Sequence, residues 1–111
     1  MKDEAVKTYP NVVLYSDDSG PETTLDKLLG RADITAVVVV LPILVQPSII
    51  RKCLAAGKHV LAEKPLAADL ATARSLIEDY NKDYKPNGLV FSVAEQFRSI
   101  RSSSAYLLTY D

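Results

Sequence analysis

The sequence of 111 residues contains one cysteine, Cys53, and one histidine, His59. A single thiol excludes an internal disulfide framework, and one thiol with one imidazole is too little for a zinc site. The net charge is −1, so no basic excess draws the chain to nucleic acid or to an anionic membrane. The longest apolar run, residues 36–45, is too short to span a bilayer. The amino terminus, Met1-Lys2-Asp3-Glu4, is charged and lacks the apolar core of a secretory signal. A cytosolic protein is therefore the default expectation. Internal repeats and low-complexity tracts are absent too.

What is present is the composition of a folded chain: 48% hydrophobic and 24% charged residues. The length suits one small domain, which buries roughly two-thirds of the surface of its unfolded chain. Residues 2–8 are expected to form one or two helical turns, ended before Pro10. Residues 12–15, Val-Val-Leu-Tyr, read as a short strand. Thr24 can cap a helix over residues 25–29, which Gly30 ends. Residues 36–41 are apolar at every position, the pattern of a strand covered on both faces in a parallel sheet.

Pro42 stops that strand, and Pro47 fits the first turn of a following helix. Cys53 falls within this helix and reads as a small buried apolar residue. Gly57 stops the helix, and residues 59–62 form the next strand. Asp69 is the expected cap of a second helix, whose apolar positions are Leu70, Ala73, Leu76, Ile77, Tyr80 and Tyr84. Residues 89–93 read as the last strand. Strict alternation of strands and helices predicts an α/β fold with a parallel sheet and right-handed crossovers. Ligands in such sheets bind beyond the carboxyl ends of the strands. His59 begins its strand and so belongs to the other edge, as a structural or surface residue.

At the carboxyl end of the strand over 59–62 stands Glu63-Lys64-Pro65, within Ala-Gly-Lys-His-Val-Leu-Ala-Glu-Lys-Pro-Leu, residues 56–66. With the Leu41-Pro42 stop before it and "FSVAEQFR" after it, residues 12–98 resemble the nucleotide-binding domain of the Gfo/Idh/MocA oxidoreductases, and its fungal members most. The resemblance implies NAD or NADP as cofactor and a sugar, polyol or related small carbonyl compound as substrate. It implies that Glu63 and Lys64 meet the nicotinamide ribose and the substrate side of the ring, with Lys64 catalytic. Pro65 matches a proline often preceded by a cis bond. Pro42 and Gln46 match the loop near the cofactor, where Gln46 replaces a frequent histidine. Gln96 and Arg98 match the region facing the nicotinamide. No metal is implied.

The departures shape the expectation further. The four glycines, at 20, 30, 57 and 88, form no G-x-G-x-x-G turn, the backbone cradle that holds a pyrophosphate. The expected architecture is a partial Rossmann-like sheet of about four strands, lacking the first βαβ unit, over residues 1–98. Residues 99–111 are expected to be a divergent tail, with the substrate domain absent. With the intervening strands missing, residues 12–15 are expected to pair directly with residues 37–40, covering an edge that would otherwise invite aggregation. The functional expectation is a piece of an oxidoreductase, inactive alone. The alternatives are a non-catalytic nucleotide-binding regulator and a remnant without function.

Overall fold

A computed structural model describes residue 9 and residues 11–96. The expected helix over 2–8, Arg98 and the tail over 99–111 lie outside the described residues. The chain divides into two compact units, Met1–Ile34 and Thr35–Asp111.

In the first unit, two 3-10 turns, Asp17–Ser19 and Pro21–Thr23, lead into helix α1, Leu25–Leu29. Thr24 caps α1 as its sequence position predicts, accepting the Lys27 N–H at 3.3 Å. Residues 12–15 form no strand, which corrects the expected pairing with residues 37–40. Side-chain hydrogen bonds within the first unit hold the end of this segment instead. Arg31 Nη1 donates to the Tyr15 hydroxyl at 3.0 Å, and Thr23 Oγ1 donates to the Ser16 carbonyl at 2.8 Å. Val13 stays 69% exposed. A β-branched run makes a strand only where a partner surface meets it.

The second unit is α/β. Strands β1 (Ala36–Val39), β2 (His59–Ala62) and β3 (Phe91–Val93) form a parallel sheet in the order β1-β2-β3. The sheet thus has three strands among the described residues, one fewer than expected. Helix α2, Gln46–Ala55, joins β1 to β2, and helix α3, Leu70–Asp79, lies between β2 and β3. Pro47 sits in the first turn of α2, where its missing N–H costs no helical bond. The chain leaves α2 through Gly57, whose φ of 75° suits a residue without Cβ. Asp69 caps α3, accepting the Thr72 N–H at 2.7 Å.

Register fixes which side chains share a face. Val37, Val60 and Phe91 stand in one row, Val39, Ala62 and Val93 in another, and Val38, Leu61 and Ser92 alternate with them. Val39, Val60 and Ala62 are buried with Ile50, Cys53 and Leu54 of α2 and Leu76 of α3. Val38 is 71% exposed and Leu61 40%. The expected burial of β1 on both faces is therefore corrected to one face. The unbroken apolar run shows what environment these side chains suit, not that both sides are filled.

Along α3 only part of the expected stripe turns inward: Leu76 is buried, while Leu70 and Ile77 are exposed. Arg51 ties α2 to α3, donating to Asp79 Oδ2 at 2.8 Å and to Ser75 Oγ at 3.0 Å. Beyond α3, a π-helical turn, Tyr80–Tyr84, and a 3-10 turn, Lys85–Asn87, carry the chain to β3. Tyr80 closes this path by donating its hydroxyl to the Leu89 carbonyl at 2.9 Å and packing edge-on against Phe91.

Candidate functional site

Parallel strands deliver three loops to one end of the sheet: residues 40–45 after β1, residues 63–66 after β2 and residues 94–96 after β3. Backbone bonds extend the ladder into them. Glu63 N donates to Val39 O at 2.9 Å, and Ala94 N donates to Ala62 O at 2.8 Å. The triplet Glu63-Lys64-Pro65 therefore leaves the sheet beside the Pro42 loop, on the same rim.

The loop after β1 is a tight turn. The Pro42 carbonyl accepts from Val45 N at 2.9 Å and from Gln46 N at 3.0 Å. Pro42 itself is exposed. The loop after β2 is shaped by its own carboxylate, since Glu63 Oε1 accepts the Lys64 N–H at 3.0 Å. The Lys64–Pro65 peptide is cis. Lys64 is exposed and Glu63 half-buried.

Gln46 joins the two loops. It is 1% exposed, and its Nε2 donates to the Glu63 carbonyl at 2.7 Å and to the Pro65 carbonyl at 3.1 Å. These partners lie 17 and 19 residues away in sequence, so no local pattern announces them. Gln96 is exposed after β3. The structure thus brings Pro42, Gln46, Glu63, Lys64 and Pro65 to one rim, and Gln96 follows the neighbouring strand. A separate cavity of about 400 Å³, lined by Leu54, Gly57, Asp83 and Leu89 among others, lies by the amino ends of β2 and β3. No group of three or more metal-binding side chains occurs among the described residues, and no described helix is long and apolar enough to cross a membrane.

A family model described as an oxidoreductase family with an NAD-binding Rossmann fold matches residues 1–91. The chain belongs to the Gfo/Idh/MocA family. The dehydrogenase FPY6 of Fusarium mangiferae is 52% identical over 83 residues, which is 73% of this chain and 23% of that protein. An uncharacterized oxidoreductase of Schizosaccharomyces pombe, C115.03, is 41% identical over 75 residues, 68% of this chain and 18% of its own. Among solved structures, the Actinomadura kijaniata 3-ketoreductase KijD10, in complex with TDP-benzene and NADP in an open conformation, superposes with a TM-score of 0.64 at 34% identity. That match covers 74% of this chain and 25% of KijD10. The chain spans about a quarter or less of the length of the relatives it matches.

Proposed function

We propose that residues 1–98 form part of the dinucleotide-binding domain of an NAD(P)-dependent oxidoreductase acting on a sugar, polyol or related small carbonyl compound. The observation that carries this reading is the shared rim: the Pro42 turn and Glu63-Lys64-Pro65 stand at the carboxyl ends of neighbouring parallel strands, where α/β sheets take nucleotides. Relatives described as a dehydrogenase and an NADP-bound 3-ketoreductase support it.

The donor set at this rim fits the nicotinamide ribose end of the cofactor. A carboxylate such as Glu63 accepts from a ribose diol, and the Lys64 ammonium donates to an oxygen on the substrate side. When bound, the cofactor would supply or accept the hydride. Lys64 would hold the substrate oxygen and hand on or take up its proton. Pro42 and Gln96 would line the nucleotide from the loops on either side. No glycine-rich phosphate cradle occurs in this sequence, so the chain by itself is expected to hold the nucleotide weakly and to turn over little substrate.

Titration of the chain with NADH and NADPH, followed by nucleotide fluorescence, tests the reading. Saturable binding supports it. A folded far-UV spectrum with no binding at millimolar nucleotide rejects nucleotide binding by this chain. In any preparation with hydride transfer, Lys64→Ala is expected to lower the rate by about 10²–10⁴-fold, the usual worth of a positioned acid–base group. Activity that survives the change would remove Lys64 from the chemistry.

A further inference from the structure

We propose that Gln46 is the positioning residue of this site, setting the spacing of its two nucleotide-facing loops without itself touching the nucleotide; the proposal rests on the functional reading above. Its backbone N–H holds the Pro42 carbonyl at 3.0 Å, which fixes the turn after β1. Its side-chain amide spends both hydrogens on the loop after β2, on the carbonyls of Glu63 and Pro65. Those two carbonyls bracket Lys64, so the path of the Lys64 backbone is held on both sides by one side chain.

The orientation of the amide is determined. Turning it over would set Oε1 against two carbonyl oxygens, three acceptors with no proton among them. The chosen orientation leaves Oε1 buried without a partner. A buried acceptor without a donor is unfavourable, so the two donors must matter more than the orphan. At 1% exposure the side chain is covered by protein on every side. Its influence on a ligand therefore passes through the loops. Such supporting contacts hold site residues at the geometry that binding needs.

The test compares the chain with Gln46→Met, which keeps volume and removes both donors, and Gln46→His, which keeps one ring N–H. Gln46→Met is expected to keep the far-UV spectrum and to weaken NADPH binding roughly tenfold, the worth of one well-placed hydrogen bond. Gln46→His is expected to recover part of that loss. Equal NADPH affinity in all three proteins overturns the proposal. A second readout is independent of nucleotide: in the unsubstituted chain the Gln46 carboxamide protons should exchange slowly and show NMR coupling to the Glu63 and Pro65 carbonyl carbons. Rapid exchange without coupling overturns the positioning role even if Gln46→Met fails to fold. Slow exchange and coupling in a chain that binds no NADPH would leave the loop bracing standing while the nucleotide reading fails.

Discussion

His59 Nδ1 accepts the backbone N–H of Val90 at 3.0 Å, one residue before β3 begins. The Val60 N–H donates to the Val90 carbonyl at 2.8 Å, so Val90 is held from both of its backbone groups at the start of the β2–β3 pairing. The sole imidazole is thus a structural side chain at the amino edge of the sheet, opposite the candidate site. His59→Ala is expected to lower stability by about 0.5–1.5 kcal/mol, the net worth of one such bond, and to speed hydrogen exchange at the Val90 amide. Urea denaturation with exchange NMR checks both. Cofactor affinity should not change.

Asp69 is held below the usual carboxylate range, first by the Thr72 backbone N–H and then by the Thr72 hydroxyl. Because the folded value is depressed, the carboxylate cap contributes stability that is fully present above the ordinary aspartate value of about 4. It is lost as pH falls through the folded value. Asp69→Asn keeps an oxygen acceptor without the charge. The expected outcome is that the two proteins keep a constant stability difference from neutral pH down to about 4, and that below about 4 the wild type loses thermal stability on acidification more steeply than Asp69→Asn. Parallel melting curves at several pH values decide it, and identical slopes would assign the cap no charge-dependent part.

Burial pushes the Cys53 thiol up from its ordinary value, and nearby Lys52 only partly opposes this. Fewer thiolates form at neutral pH, and the sulfur is shielded by the core. Cys53 is expected to react slowly with a disulfide reagent in the folded chain and at once, with one equivalent, in urea. A fast reaction under native conditions would mean that α2 opens from the sheet.

The elements that local chemistry dictates were legible in the sequence. Thr24 and Asp69 mark their helix starts, Gly57 the exit from α2, and His59–Ala62 is a strand as expected. The two caps and the Gly57 exit depend on side chain to backbone bonds within a few residues or on φ alone, whereas the strand needed its partners β1 and β3. Residues 12–15 share β-branched character with β1 but pair with no strand among the described residues, and composition cannot distinguish the two cases. The candidate site was legible as a set of residues, through Glu63-Lys64-Pro65 and Pro42. Its bracing was not, because the Gln46 amide reaches carbonyls far along the chain, and any backbone could have supplied such acceptors.

Val38 offers the sharpest test of which face of the sheet is packed. It stands on edge strand β1, level with Leu61 of β2, and both point away from the buried row of Val39 and Ala62. Alternation along a strand sends neighbouring side chains to opposite faces. A lysine at position 38 should therefore meet water, and one at position 39 should meet the core. Val38→Lys is expected to change stability by no more than about 0.5 kcal/mol, as for an ordinary surface site. It should also reduce self-association, since a charge on an exposed apolar edge discourages strand-to-strand pairing. Val39→Lys is expected to unfold the chain, because an unpaired charge would enter the α2 interface. Thermal melting with sedimentation velocity separates the two. If Val38→Lys unfolds the chain as Val39→Lys does, a second layer covers that face and the single-faced sheet is wrong.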